Sequence, residues 1–269
     1  MGNMKRDDKR YSMDESLLPV WPASPADLKL KSGEIHVWSA KLETKEDQIH
    51  QFSGLLSQDE LERSKRYYFK EDRNHFIAGR GILRIMLGGY LNIEPADVCF
   101  TYSTYGKPSV SEEQNASRLF FNLSHSYGFG LYAFSYCGEI GIDIERIRPD
   151  HYTETIASEI LSQKEIAALS TLPSEQQEKS FFACWARKEA FLKACGRGLS
   201  LAPQKIEVSM TAGGPSALLS IEGDCSKASL WSLRDLDAGQ GYAAALAVRR
   251  HECKVKCLRW DNTIQKNFA

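Results

Sequence analysis

The sequence of 269 residues lacks several patterns that would assign it to a familiar class. It has no apolar run near the roughly 20 residues that a membrane helix needs, and no apolar stretch near its start suits a secretory signal. Its seven cysteines are scattered and include no CxxC pair, so neither a disulfide framework nor a paired zinc motif is indicated. We therefore expect a cytoplasmic protein with reduced thiols and no membrane partner.

Nucleotide-binding loops and a strong overall charge are also absent. There is no GxxxxGK[ST] stretch, and the segments GRGIL at 79–83 and GFG at 128–130 fall short of GxGxxG. Basic and acidic residues nearly balance, 34 against 35, so we expect no nucleic-acid partner. From Glu60 to Arg84, however, seven basic residues stand against four acidic ones, and this local excess suits a small polyanion.

Hydrophobic spacing predicts a similar order of elements twice along the chain. In the first half, GEIHVWSAKL at 33–42 alternates like a strand and residues 56–91 have helical spacing. In the second half, LSQKEIAAL at 161–169 nearly repeats LSQDEL at 56–61 and leads into a helix at 180–196. Further strands are predicted at 97–102, 119–125, 130–136, 139–145, 205–210, 216–222, 228–234, 242–249 and 254–260.

This order favours an internal duplication, although a chance match of six residues is the alternative. We expect an α+β fold of two subdomains, with the functional site in the cleft where they meet. The expected boundaries are a loosely packed lead-in at 1–30, an N-terminal α+β subdomain at 31–140 and a C-terminal α+β subdomain at 141–269.

Two carboxylates stand close together in the stretch GIDIE. Its isoleucines alternate with Gly141, Asp143 and Glu145, the period-two pattern of a strand that buries one face and exposes the other. In the helix 180–196, Glu189 and Lys193 share a face, which alone would suit a surface ion pair. Together the three carboxylates form an oxygen ligand set suited to Mg²⁺ with substrate phosphates.

Two further stretches offer hydrogen-bond donors for a phosphate. FNLSHS at 121–126 ends a predicted strand with Ser124 and His125, and YGKPSV at 105–110 presents Lys107 in a turn. A solvated turn lysine is the alternative for Lys107. A hydrolase pair of Ser124 and His125 is disfavoured, because adjacent strand residues point to opposite faces.

Four motifs in this order and spacing carry a family resemblance. YGKP at 105–108, FNLSHS at 121–126, GIDIE at 141–145 and WARKEAFLKACGRGLSL at 185–201 closely resemble the 4′-phosphopantetheinyl transferases of the surfactin-synthetase-activating, Sfp type. The resemblance runs from about Leu56 to Val248. It implies a pseudo-twofold pair of α+β subdomains, a monomer, and transfer of the phosphopantetheine arm of coenzyme A to a carrier-protein serine, with release of adenosine 3′,5′-bisphosphate.

The resemblance also implies roles for individual residues. Asp143, Glu145 and Glu189 would bind Mg²⁺ on the pyrophosphate. Because the attacking serine hydroxyl must also lose a proton, Glu189 is our candidate general base, directly or through a water molecule. Lys193 would contact the same phosphates and neutralise the leaving group. The residues implied to hold coenzyme A are Lys107, Ser124 and His125, with Arg63 and His75 near the family's basic positions.

The chain departs from the family pattern at two positions of the helix at 56–91. Glu60 stands where relatives can carry a lysine, and Phe76 replaces a small polar residue. Two other functions are compatible with the motifs: a metal-dependent phosphodiesterase or nuclease, and a catalytically silent module that binds coenzyme A or a carrier protein.

Overall fold

The computed structural model describes residues 19–23, 29–148, 153–210, 216–250 and 252–261. The strands of the first half are β1 Glu34–Lys41, β2 Phe100–Tyr102, β3 Pro108–Val110, β4 Phe120–Ser126 and β5 Phe129–Ser135, and its helices are α1 Glu46–Ser53, α2 Gln58–Ser64 and α3 Lys70–Leu91. The strands of the second half are β6 Ile140–Arg146, β7 Ile206–Val208, β8 Leu218–Ile221, β9 Ser232–Leu236, β10 Tyr242–Val248 and β11 Lys254–Arg259, and its helices are α4 Glu154–Ile160, α5 Gln163–Ser170, α6 Ser174–Cys195 and α7 Cys225–Ala228.

The two halves repeat one topology. In each, a strand is followed by three helices, a small antiparallel pair and a hairpin-like pair that returns to the first strand. The first sheet has the order β11-β1-β5-β4 and the second the order β6-β10-β9, so β1, β5 and β4 correspond to β6, β10 and β9. The pairings β1–β5, β5–β4, β6–β10 and β10–β9 are all antiparallel. The predicted α+β fold of two pseudo-twofold halves is confirmed.

A buried glutamate marks the repeat in both halves. Glu60 and Glu165 each accept a hydrogen bond from the amide of the serine three residues earlier, at the start of α2 and α5. Glu60 also pairs with Arg80 and with Arg84, at 2.6 Å from the Arg84 Nε, while Glu165 pairs with Lys188. The second set follows the first by 104 or 105 residues, so the short sequence match reflects duplication rather than chance.

Two helices and two sheets form four layers. The helix α3 packs on one face of the first sheet, and α6 packs on one face of the second. The other faces of the two sheets enclose a third core, because apolar side chains of β1 and β5 meet those of β6 and β10 there. The order of layers is therefore helix, sheet, sheet, helix.

The edge strands β4 and β6 are joined by side chains. Asn122 Oδ1 accepts a hydrogen bond from the amide of Ile142 at 2.9 Å, and Ser126 Oγ accepts one from the amide of Arg146 at 3.1 Å. Ser124 lies between them on the same face of β4. We call these three side chains the β4 bridge. It holds the two halves together along the line where the functional site lies.

Several element boundaries differ from the sequence-based expectation. The predicted helix at 56–91 is two helices, because residues 65–69 turn and Tyr67 packs against the ring of Phe76, 5.4 Å between centroids. The helix predicted from residue 180 begins at Ser174, and residues 225–228 form α7 before β9.

The segments near the two ends of the described chain also pack differently from the expectation. Strand β11 pairs parallel with β1 of the first half, although the sequence placed it with the second subdomain. In the lead-in, Trp21 is buried in the third core, so this part is packed, while residues 1–18 and 24–28 lie outside the described residues. The subdomain boundary at residue 140 stays a prediction.

All seven cysteines are free thiols. Within the described ranges, the helices are all too short or too polar to cross a lipid bilayer.

Candidate active site

The acidic face of β6 points toward α6. Ile140, Ile142 and Ile144 enter the third core between the sheets, so the alternate residues face the helix. Gly141 allows the closest approach, since a Cβ atom there would lie 2.1 Å from the carbonyl oxygen of Ala190. The expectation of an exposed acidic face is therefore wrong: the helix covers it, and Asp143 is only 2% exposed.

Asp143 is held by two donors on one oxygen. Its Oδ1 accepts hydrogen bonds from Lys193 Nζ at 2.6 Å and from Ser124 Oγ at 2.9 Å. Lys193 Nζ also donates to Ser124 Oγ at 2.8 Å. Asp143 Oδ2 is buried and has no hydrogen-bond partner among the described residues. This carboxylate therefore has one buried oxygen that is unsatisfied within the described part of the chain.

Burial and the charge of Asp143 both act on the neighbouring carboxylates. Burial, followed by the charge of Asp143, raises the pKa of Glu145 to about 7, and Glu189 contributes to the same increase. Burial and then Asp143 also raise the pKa of Glu189. The structure thus brings Glu189 into the electrostatic range of the pair on β6, across the boundary between strand and helix.

In donor type these three carboxylates suit a divalent cation, whereas the described group whose ligand atoms all lie within 4.8 Å of one another is Glu43, Glu71 and His75. When all three carboxylates are ionised, Lys193 offsets one charge and leaves a net charge of −2. Oxygen ligands of this kind suit Mg²⁺, and the unsatisfied Asp143 Oδ2 is a donor atom in need of a partner. A bound cation would stabilise the ionised forms of the two glutamates.

A cavity of about 430 Å³ is lined in part by Glu189 and Lys193, and its volume is within the size range of small-molecule sites. It lies between the halves, and its lining residues are Arg63, Tyr105, Gly106, Lys107, Pro108, Asn122, Leu123, Glu189, Leu192, Lys193, Gly196 and Gly198. Arg63, Lys107 and Lys193 make this lining basic. An anionic ligand that reaches the carboxylate cluster through a metal ion suits such a cavity.

Lys107 is a buried structural lysine as well as a lining residue. Its Nζ donates hydrogen bonds to the carbonyl oxygens of Ile140 at 3.1 Å and Ala194 at 2.8 Å. Burial lowers its pKa to about 8. The alternative of a solvated turn lysine is wrong, because this ammonium ties the end of α6 to the start of β6. Its predicted contact with phosphate stays a prediction, with one N–H left to make it.

Ser124 and His125 point to opposite faces of β4, as adjacent strand residues must. Ser124 is buried against Asp143, whereas His125 is exposed at the end of the strand. Desolvation by the surrounding protein, followed by the charges of Lys193 and His75, lowers the pKa of His125. His125 is therefore the one of the two that is open to a ligand.

Arg63 of α2 and His75 of α3 lie in different surroundings. Arg63 lines the cavity, and its guanidinium lies 5.5 Å from the ring centroid of Phe76. The ring nitrogens of His75 lie near carboxylate oxygens of Glu43 and Glu71, with one ligand atom of each residue within 4.8 Å of the others. Phe76 is buried in the first core, and so it supports Arg63 rather than a cofactor.

Sequence reasoning missed Asn122 and Ser126 as functional neighbours. Both belong to the β4 bridge, which holds β6 in place behind the carboxylates. The available signal was the spacing of polar residues at 122, 124 and 126 in a strand whose surroundings are apolar. Tyr105 was also missed; its ring lines the cavity and stands over Gly198, where an added Cβ would lie 3.3 Å from the tyrosine Cβ.

Comparison with known proteins identifies the class. The family model described as the 4′-phosphopantetheinyl transferase superfamily matches residues 139–247, and one described as 4′-phosphopantetheinyl transferase, N-terminal, matches residues 40–135. The 4′-phosphopantetheinyl transferase HetI of Nostoc sp. is 42% identical over 229 residues, which cover 85% of this chain and 93% of that protein. The chain belongs to the 4′-phosphopantetheinyl transferase superfamily, as the motifs indicated.

Other relatives cover less of the chain. The 4′-phosphopantetheinyl transferase Sfp of Bacillus subtilis is 31% identical over 156 residues, or 58% of this chain and 67% of that protein. Among solved structures, the holo-[acyl-carrier-protein] synthase of Thermotoga maritima is 24% identical, with a TM-score of 0.34, and the match covers 42% of this chain and 62% of that one. The family assignment rests on the sequence relationships.

Proposed function

We propose that this protein transfers the 4′-phosphopantetheine arm of coenzyme A to a serine hydroxyl of an acyl or peptidyl carrier protein. The observation that carries the proposal is the cluster of Asp143, Glu145, Glu189 and Lys193 beside a basic cavity between the halves. Membership of the transferase superfamily supports the same reaction class. Coenzyme A supplies the polyanion that a basic cavity of this kind suits.

The three carboxylates are proposed to hold Mg²⁺. When bound there, the ion supplies charge neutralisation and orientation to the pyrophosphate. Asp143 offers its free Oδ2, while Glu145 and Glu189 approach from the strand and from the helix. Glu189 lies at the cavity wall, where it could both hold the ion and accept the serine proton.

The proposed reaction exchanges one P–O bond for another. The serine oxygen attacks the phosphorus that bears the pantetheine arm, and the bond from that phosphorus to the bridging oxygen breaks. Adenosine 3′,5′-bisphosphate leaves with the bonding electrons, and the Lys193 ammonium stabilises the charge that develops on it. Glu189 accepts the serine proton, directly or through a water molecule.

The remaining basic groups are proposed to grip coenzyme A. Arg63 lines the cavity, Lys107 keeps one N–H after its two carbonyl contacts, and His125 is exposed within the electrostatic influence of Lys193. His75 is the remaining candidate, and one of its ring nitrogens lies within 4.8 Å of carboxylate oxygens of Glu43 and Glu71. Charge-assisted hydrogen bonds from such groups suit phosphate oxygens.

A monomer in the cytoplasm is the proposed working form. One chain supplies both walls of the cavity, so the site needs no second copy. The seven free thiols suit a reducing compartment.

One assay tests the function and the role of Glu189 together. An apo carrier protein is incubated with coenzyme A and Mg²⁺, and intact mass reports the gain of one phosphopantetheine arm. We expect Glu189→Gln to lower kcat by at least about a hundredfold, the effect of losing one catalytic electrostatic or acid–base contact. The matched control is Glu175→Gln, an exposed position in the first turn of the same helix, which should retain full activity.

The other outcomes identify the rival functions. Coenzyme A binding without any gain in carrier mass would indicate a silent binding module. Hydrolysis of a phosphodiester substrate without carrier modification would indicate the phosphodiesterase or nuclease. Full activity of Glu189→Gln would refute the assigned role of that carboxylate.

A further inference from the structure

Ser124 differs from its neighbours in the β4 bridge. Asn122 and Ser126 accept hydrogen bonds from main-chain amides of β6, and these contacts fix the backbone. Ser124 instead contacts two charged side chains, Asp143 and Lys193, at 2.9 and 2.8 Å. It is 7% exposed. The middle member of the bridge therefore acts on the carboxylate cluster and is poorly placed to reach a ligand in the cavity.

The directions of these hydrogen bonds are set by chemistry. The Lys193 ammonium can only donate, so Ser124 Oγ accepts from it and uses its own O–H toward Asp143 Oδ1. Lys193 Nζ donates to the same Oδ1 at 2.6 Å. Both donors thus converge on one oxygen of Asp143. The other oxygen, Oδ2, is buried without a hydrogen-bond partner among the residues that the structure describes.

We propose that Ser124 is a positioning residue that orients the Asp143 carboxylate so that Oδ2, and not Oδ1, is offered to the divalent cation. Rotation of the carboxylate would exchange the two oxygens, and the hydrogen bond from Ser124 opposes that rotation. The same hydroxyl holds the Lys193 ammonium beside Oδ1 and away from Oδ2. This proposal rests on the metal site of the proposed function, and it replaces the predicted contact of Ser124 with phosphate.

The expected effect appears in metal affinity. Removing a hydrogen-bond partner of a metal ligand commonly weakens metal binding by about ten- to a hundredfold. We therefore expect Ser124→Ala to weaken binding of Mn²⁺, used as a paramagnetic probe, by about that factor in the free protein. Coenzyme A affinity, measured by calorimetry without divalent cations, should stay within about twofold of wild type. Ser124→Thr retains the hydroxyl and should restore most of the Mn²⁺ affinity.

Ser126→Ala is the matched control, because it removes a hydroxyl from the same strand and the same face. Within the described residues that hydroxyl hydrogen-bonds to the main chain of β6 and not to a carboxylate. It should leave the Mn²⁺ dissociation constant unchanged, because Asn122 and the pairing with β10 still hold the main chain of β6. If Ser124→Ala does not fold, Ser124→Cys, which keeps the volume and offers a weaker donor, is measured in its place.

Two results would overturn the proposal. One is unchanged Mn²⁺ affinity in Ser124→Ala. The other is a fall in coenzyme A affinity without divalent cations, which would restore the phosphate role. Asp143→Asn separates this proposal from the proposed function: if it too leaves Mn²⁺ binding unchanged, the metal site itself is wrong, whereas loss of Mn²⁺ in Asp143→Asn alone rejects only the role of Ser124.

Discussion

Asp143 illustrates how much a single residue's surroundings add to its chemistry. Its residue type and its spacing from Glu145 indicated a cation site from the sequence alone, because two carboxylates on one strand face repel each other without a partner. Its burial under α6 and the use of one oxygen by Ser124 and Lys193 depend on contacts 19 and 50 residues away in the chain. Local patterns carry no information on such distances.

His36 is a second buried titratable residue, far from the carboxylates. Its ring is fully buried in β1, and Nδ1 lies 2.8 Å from the hydroxyl of Tyr90. Burial, followed by the positive charge of Lys256, lowers its pKa from 6.5 to about 4, although Glu34 opposes the change. The folded protein therefore keeps this imidazole neutral at pH values where the unfolded chain binds a proton.

Stability should consequently fall as the pH drops from 6.5 to 4. Because the unfolded state takes up the proton first, His36 alone should lower the free energy of unfolding by up to about 3 kcal/mol over this window. Urea unfolding at several pH values measures this slope, and His36→Gln should make it shallower. The exposed His50→Gln serves as the control and should keep the wild-type slope. Parallel pH profiles for wild type and His36→Gln would contradict the assignment.

At the scale of elements, the contact between β6 and α6 decides the geometry of the site. Gly141 permits it, since a Cβ at this position would lie 2.1 Å from Ala190 O and 2.3 Å from Ala194 N, both main-chain atoms. At the end of the helix, Lys107 strengthens the same contact by donating hydrogen bonds to main-chain carbonyls of both β6 and α6. Glu189 and Lys193 face Asp143 only while this packing holds.

Gly141→Ala should therefore damage stability and activity together. Main-chain atoms cannot rotate away, so α6 must shift, with a loss of about 1–3 kcal/mol or more in unfolding free energy. We expect at least a tenfold fall in carrier modification, because the shift carries Glu189 and Lys193 away from β6. Thermal unfolding by circular dichroism and the intact-mass assay measure the two effects.

Gly79→Ala in α3 is the matched control for this substitution. Its Cβ would lie 3.6 Å from the Tyr132 hydroxyl, an ordinary contact, and alanine favours a helix over glycine by up to about 1 kcal/mol. Equal melting temperatures for the Gly141 and Gly79 variants would mean that the tight approach of β6 to α6 does not set the site.

The element types were largely predictable from the sequence, and their partners were not. Period-two alternation identified β1, β4, β5, β6 and β10 within about two residues, because each buries at least one face. The short helices α1 and α4 were missed, since seven or eight residues give little periodicity. The turn at 65–69 depends on how Tyr67 packs in the first core, which is a tertiary contact.

At the scale of the whole molecule, the two halves differ at the positions that correspond to the carboxylate cluster. With a spacing of 105 residues, Trp38 and Ala40 are the repeat positions equivalent to Asp143 and Glu145. With a spacing of 104 residues, Ile85 is equivalent to Glu189. Trp38 is fully buried, and all three side chains belong to the first core. At these positions the first half therefore has packing side chains where the second has carboxylates, and it contributes β4, Arg63 and Lys107 to the site.

The two halves should unfold as one unit. Leu258 of β11 lies in the first core although its strand follows the second half in sequence, and the third core joins both sheets. Leu258→Ala should lower the unfolding free energy by about 2–5 kcal/mol. We expect this loss to shift the urea unfolding of both halves equally.

Tryptophan fluorescence can follow each half separately. Trp38 and Trp260 report on the first core, and Trp231 packs against the second. One variant retains only Trp38 and Trp260, and another retains only Trp231. The urea unfolding curves of these two variants should coincide, both without and with Leu258→Ala. A shift confined to the first-core signal would show that the halves are independent domains.

The pairing of β1 with β11 also has a consequence for synthesis. Glu34 and its partner Lys254 are 220 residues apart, and a ribosome adding about 5–20 residues per second needs roughly 10–45 s to deliver the second after the first. Throughout that interval the nascent chain carries β1 with an open edge, and open edges of this kind recruit strands from other chains. A premature stop before residue 254 would make that exposure permanent, so its product should aggregate rather than accumulate as a weakened enzyme.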